Sequence, residues 1–302
     1  FSTSNLAKWI EEKSFGKIQA KNILHVKIKQ LDMAFNDEDG FESLLKFLSK
    51  LENNTSVVVD AKLPHHLEIL ASAIKVVSKE KRFLFRTAAS FINSLSALPP
   101  NPKCTADLVS LKSKNNEYKY KPGLIIVGSH VKLATDQLKV LLIDNSCKGL
   151  EIPVSKLANI FALEDRQQAI LEIEYTLLSK IDDILDLEKV PVLYTSREEM
   201  KFSSYSERMT FGLELAEFMS ILVRKITNKL GYIISKGGIT TQILLQKGLN
   251  FNHVNLKGQI LPGLSIVTGD SDQYDLPVVT FPGNLGNEKT LLEVLKLMDS
   301  IA

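Results

Sequence analysis

Short apolar, often β-branched runs, each followed by a stretch with helical spacing, restrict the fold of this chain more than any other feature. Val57-Val58-Val59 ends in Asp60 and leads into a helical pattern over 67–77. Phe83-Leu84-Phe85-Arg86 leads into a small-residue helix start, Thr87-Ala88-Ala89-Ser90. The pattern restarts at Leu124-Ile125-Ile126-Val127 and continues through runs at 150–154, 190–194, 232–235 and 278–281. The longest helical stretch, 209–230, carries Phe211, Leu215, Phe218, Leu222 and Ile226 three or four residues apart. Such alternation predicts mostly parallel sheets with helices on both faces, an α/β fold of three-layer α/β/α domains. Pro99-Pro100-Asn101-Pro102 and the polar stretch 112–121 interrupt the series. The chain thus reads as a first domain at 1–98, a linker at 99–121 and a second domain at 122–302.

The 302 residues suffice for two domains. A net charge of +2 gives neither a basic field for nucleic acid nor an acidic tail. No apolar run reaches bilayer length, and Lys8, Trp9 and Glu11 interrupt the only early apolar stretch, so neither a membrane span nor a signal peptide is expected. Cys104 and Cys147 have no disulfide-scaffold or zinc spacing and fit a reducing, cytoplasmic setting. His65-His66, after Pro64, reads as a surface pair in a loop, so no metal site is expected. The nucleophile elbow, the paired-histidine zinc helix, the P-loop and the dinucleotide fingerprint are all missing from the sequence.

Three strand-turn-helix junctions carry glycine with hydroxyl or amide residues: Gly128-Ser129-His130, Gly237-Gly238-Ile239-Thr240 and Pro282-Gly283-Asn284-Leu285-Gly286-Asn287. Ligands of open α/β sheets bind beyond the carboxyl ends of strands. Glycine lets backbone approach an anion, and the following helix offers free N–H groups. Each junction alone is more often a simple turn, whereas the three together fit a phosphate cradle about as well as they fit incidental turns. In the first domain, Arg86 with Thr87 and Ser90 suits a carboxylate ligand. An ion pair and a helix cap explain the same residues, and Asp60 has the same two readings.

Six ordered blocks resemble the four-carbon acid sugar kinase family. They are Asp60-Ala61 with the 83–90 stretch, Val127-Gly128-Ser129-His130-Val131, Tyr194-Thr195-Ser196-Arg197-Glu198, Lys236-Gly237-Gly238-Ile239-Thr240-Thr241, Gly258-Gln259-Ile260-Leu261-Pro262-Gly263 and Phe281-Pro282-Gly283-Asn284-Leu285-Gly286. The resemblance implies an ATP-dependent kinase acting on a hydroxyl of threonate- or erythronate-like acids, with Mg²⁺ accompanying ATP. It implies that Gly128, Ser129, His130, Gly237, Gly238, Ile239, Thr240, Gly283, Asn284 and Gly286 contact ATP. Arg86, Thr87, Ser90 and Asp60 would face the sugar acid. Residues 1–98 would be the C-terminal part of a substrate domain, hence an incomplete one, because the family's Asp-Asp-x-Thr-Gly block does not occur in this sequence. Gln242 also stands where a small polar residue is usual. Without that acidic block the catalytic residue is unassigned. A homodimer or a companion chain supplying the block, or a non-catalytic protein that binds nucleotide or sugar acid, follows as the alternative.

Overall fold

The computed structural model describes residues 2–97, 105–197, 200–269 and 276–300. Two compact units divide the chain, Phe1–Pro100 and Asn101–Ala302.

The first unit runs α1 (Leu6–Lys13), β1 (Leu24–Val26), α2 (Ile28–Asn36), α3 (Glu38–Ser49), β2 (Val57–Val59), α4 (Pro64–Val77) and α5 (Ala89–Ser96). β1 and β2 pair in parallel, Val26 opposite Val59. Leu31 and Ala34 of α2, Leu44 and Leu48 of α3, and Leu70 and Ile74 of α4 close the core around Val26. A single residue joins α2 to α3: Asp37 ends the first helix and caps the second, its carboxylate accepting from the Gly40 N–H. The corner is so tight that a Cβ on Gly40 would overlap the Met33 carbonyl.

Residues 83–86, expected as a strand, pair with no strand among the described residues. Leu84 is fully exposed. Hydrophobic residues alone do not make a strand when no neighbour supplies the ladder. The His65-His66 pair also departs from expectation. It lies in the first turn of α4, and His66 is buried.

The second unit runs α6 (Thr105–Val109), β3 (Gly123–Val127), α7 (Lys132–Leu141), β4 (Cys147–Ile152), α8 (Val154–Phe161), α9 (Gln167–Asp186), β5 (Val190–Thr195), α10 (Tyr205–Ile226), β6 (Tyr232–Lys236), α11 (Gly238–Ile243), β7 (Val254–Leu261), β8 (Leu264–Gly269), β9 (Val278–Phe281) and α12 (Thr290–Asp299). A π-helical turn, Leu244–Gly248, continues α11. The seven-stranded sheet has the order β4-β5-β3-β6-β9-β8-β7. Its first five strands are parallel, and the β7–β8 hairpin adds two antiparallel strands at one edge. Alternate residues of β3 serve opposite faces, as pleating requires. Leu124 and Ile126 pack with α8, α9 and α10. Ile125 and Val127 pack with α7 and α12. This is the three-layer α/β/α arrangement.

The hairpin had no counterpart in the expected elements, because Pro262 interrupts its apolar pattern. Pro262-Gly263 forms the two-residue turn, with Gly263 at φ +80°. The reading of 99–121 as a linker is also revised where the structure describes it; residues 99–104 lie outside the described residues. Leu108 and Val109 of α6 are buried in the second unit. Lys112 is buried as well, its Nζ donating to the carbonyls of Met298 (2.6 Å) and Ser300 (3.1 Å) at the end of α12. Its long apolar stem lets a charged residue sit there, a placement polar composition does not reveal. Cys147 is buried, and burial first, then Asp144 and Asp299, pushes its thiol up to about 11, which favours the protonated form. Among the described residues no helix is long and apolar enough to cross a membrane.

Candidate functional site

Parallel pairing puts the carboxyl ends of β5, β3, β6 and β9 side by side, about 4.8 Å apart. The three glycine junctions therefore meet. Gly128 donates its N–H to the Lys236 carbonyl, and Gly237 donates to that of Phe281. Ser129 is the common point. Its backbone nitrogen would lie 3.3 Å from a Cβ on Gly237, and its Oγ 2.5 Å from a Cβ on Gly283. A Cβ on Gly128 would overlap the Thr240 hydroxyl. Gly237, at φ +123°, uses backbone freedom that other residues lack. Gly238 differs, because a Cβ there meets nothing within 4 Å. Thus close approach calls for glycine at Gly128, backbone conformation calls for it at Gly237, the Ser129 hydroxyl crowds Gly283, and at Gly238 the space beside the backbone is left open.

Of the other expected residues, His130 joins this cluster: its Nε2 lies 2.9 Å from the Thr195 Oγ1. Burial, then Arg197 and Arg208, holds the imidazole below its ordinary pKa, so it is neutral at pH 7. Thr240 packs against the first junction, while Ile239 and Asn284 are exposed. Gly286, at φ +82°, turns toward Thr290 of α12 rather than toward Ser129.

Four neighbours went unassigned in the sequence. Thr195 and Arg197 extend from β5, and the Arg197 Nη1 donates to the Ser129 carbonyl at 2.6 Å. Lys236, at the end of β6, is buried, donates to the Pro282 carbonyl at 3.1 Å and lies 3.9 Å over the Phe281 ring. Burial pulls its amine down to about 8. Gln137 of α7 donates to the carbonyls of Leu285 (3.1 Å) and Asn287 (2.6 Å), fixing the third junction. Thr195, Arg197 and Lys236 carry a readable signal, a polar residue breaking an apolar run at a strand's carboxyl end. Gln137 carries none, since only the fold brings α7 to that loop. Glu198 lies outside the described residues.

In the first unit, Arg86 and Thr87 line a cleft of about 1540 Å³ with Trp9, Val57, Phe83 and Phe91. The Arg86 guanidinium stacks 4.9 Å over the Trp9 ring. Asp60 and Ser90 do not line it. Asp60 pairs instead with His25 at 2.9 Å. Asp32, His65 and His66 bring potential metal-ligand atoms within 4.8 Å of one another. However, the His66 Nδ1 accepts the Lys62 N–H at 3.1 Å, which leaves the ring proton on Nε2, facing Asp32 at 2.8 Å. A ring so engaged anchors the start of α4 and has no free lone pair for a metal.

Residues 124–291 match the nucleotide-binding C-terminal domain family, and residues 1–95 match the sugar-binding N-terminal domain family. Among solved structures, the chain is similar to a Salmonella typhimurium LT2 protein given the provisional name tRNA synthase, at a TM-score of 0.55 and 15% identity over 93% of this chain and 61% of that one. It is also similar to a Haemophilus influenzae protein, at a TM-score of 0.48 and 19% identity over 99% of this chain and 64% of that one. A Bordetella bronchiseptica domain of unknown function, crystallised with citrate as a domain-swapped dimer, aligns at a TM-score of 0.48 and 16% identity over 91% and 58%. The chain thus spans about three fifths of the length of these proteins. No curated protein matches it by sequence.

Proposed function

The chain belongs to the four-carbon acid sugar kinase family, carrying its sugar-binding and nucleotide-binding domains, and from that premise we propose that it transfers the terminal phosphoryl group of ATP to a hydroxyl of a small four-carbon sugar acid. The observation that carries the reading is the meeting of three glycine junctions on Ser129. Such a surface suits a polyphosphate, because the Ser129 hydroxyl stands among glycine backbones and the space beside Gly238 is open to an anion. Ser129, Gly237, Gly238 and Gly283 would hold the phosphates, and Thr240 would support them. In the first unit, Arg86 and Thr87 would take the acid's carboxylate.

In the reaction the sugar hydroxyl oxygen attacks the γ-phosphorus, its bond to the ADP oxygen breaks, and the hydroxyl proton passes to a base. Among the described residues, those meeting at Ser129 offer hydroxyls, amides, carbonyls and the Arg197 guanidinium, and no carboxylate. That donor set suits Mg²⁺ carried on the nucleotide's own phosphates rather than a metal held by protein carboxylates. Bound there, the ion would neutralise developing charge on the phosphoryl oxygens. ATP supply and the two thiols fit a cytoplasmic setting.

A thermal-shift titration with Mg-ATP tests the nucleotide half. At about 100 times Kd the second unit should gain roughly 2.7 kcal/mol, a rise of about 5–10 °C in its melting temperature. No shift at millimolar ATP would remove the reading. The second reading, binding without transfer, draws on the cleft itself, whose only lining carboxylate among the described residues is that of Glu52. ADP release that threonate or erythronate accelerates separates the two: its absence beside a clear ATP shift favours the binding protein.

A further inference from the structure

The nucleotide reading assigns no role to the Arg197 guanidinium, which touches the cradle at Ser129. Arg197 lies two residues beyond β5, and Ser129 lies two beyond β3, the adjacent parallel strand. The register, Val127 opposite Tyr194, sets Ser129 level with Ser196, so Arg197 stands one residue further out beside it. The Arg197 Nη1 is engaged by the Ser129 carbonyl at 2.6 Å. Nε and Nη2 are shielded from solvent and have no hydrogen-bond partner among the described residues. These two nitrogens form the side-on edge of a guanidinium, whose parallel N–H bonds match the oxygens of a phosphate or carboxylate.

Leaving such donors buried and unpaired is costly, and native structures seldom do so without a functional reason. The carboxylate that acts on this cation, Glu151, does so only through space, and no ion pair with Arg197 occurs among the described residues. The Nη1 bond fixes the guanidinium at Ser129, where the second and third junctions also arrive. A ligand filling the cradle would bring its anionic end to an edge already oriented.

We propose that Arg197 is a phosphate-binding residue of the cradle, holding the polyphosphate end of the nucleotide side-on through Nε and Nη2. This rests on the nucleotide reading above. Charge placement supports which end it meets: Arg197 and Arg208 act on the neutral His130 at the β5 side of the row, whereas the cation at the β9 side, Lys236, is already engaged by the Pro282 carbonyl. The residue would therefore discriminate by phosphate number and leave recognition of the nucleoside to others.

The test is calorimetric binding of ATP, ADP and AMP at fixed Mg²⁺ to the intact chain, as wild type, Arg197→Met and Arg197→Lys. Wild type should bind ATP more tightly than AMP. Arg197→Met should weaken ATP by about 30-fold or more while AMP changes less than about threefold, the size expected of a lost charged hydrogen-bond pair. Lysine should recover part of the ATP affinity, since it restores the charge without the fork. Equal losses for all three nucleotides would mean that Arg197 only positions Ser129, and would overturn the proposal, as would no loss at all. If the methionine variant lacks a cooperative melt, the lysine variant decides by the same comparison. Wild type binding no nucleotide would overturn the nucleotide reading together with this one, whereas wild-type ATP binding beside an unchanged preference in the variants overturns Arg197 alone.

Discussion

Gly40→Ala is expected to destabilise the first unit by about 2–3 kcal/mol, lowering its melting temperature by roughly 10–20 °C. The added methyl group would fall on the backbone carbonyl of Met33, which cannot rotate away as a side chain could. Relief requires α2 and α3 to separate, and Asp37, shared between them, allows little slack. The gain in helix propensity, about 1 kcal/mol, offsets only part of the clash. Gly212→Ala is the matched contrast. Gly212 lies inside α10 with nothing within 4 Å of its added methyl. That change should stabilise the second unit by about 0.5–1 kcal/mol. Denaturation curves for both variants check the pair. Similar effects of the two substitutions would show that the α2–α3 corner yields, against the packing described here.

The second large effect concerns Gly238→Asp. An aspartate side chain there has room, so the fold should survive with little change in melting temperature. Its carboxylate would stand where the proposed phosphates bind, and juxtaposed like charges cost several kcal/mol, so ATP affinity should fall by at least about 100-fold. Gly128→Ala should also lose ATP, with a lowered melting temperature as well, because its methyl group displaces the stiff, buried Thr240. Melting curves with and without Mg-ATP separate the two patterns. An aspartate variant that binds ATP within about threefold of wild type would place the nucleotide elsewhere.

Much of the second unit was legible in advance because its strands are buried on both faces. Leu124-Ile125-Ile126-Val127 and Tyr232-Ile233-Ile234 need no alternation, and continuous apolar runs stand out. The glycine junctions stood out for the same reason, as abrupt ends to such runs. The β7–β8 hairpin did not, because it lies at an edge, mixes charged and apolar residues and contains a proline turn. Residues 83–86 misled in the opposite sense, being hydrophobic enough for a strand yet lacking a paired neighbour. His66 was misjudged because its burial depends on Asp32, brought over by α2. The roles of Arg197 and Gln137 depend in the same way on contacts between distant parts of the chain, with Ser129 and with the loop before α12.

The row of strand ends has a further consequence, for the order in which the second unit assembles. Ser129, Arg197, Gly237 and Gly283 each follow a different strand and are separated by tens of residues. No local segment holds even two of them, so each must wait for the closure of a long loop, which contributes nothing until the strands have paired. β9 is the last of the four in the chain, and it delivers Gly283. The proposed nucleotide site is therefore complete only once β9 has paired. A species that has collapsed without seating β9 would lack Gly283 and, on the proposed reading, would hold no ATP.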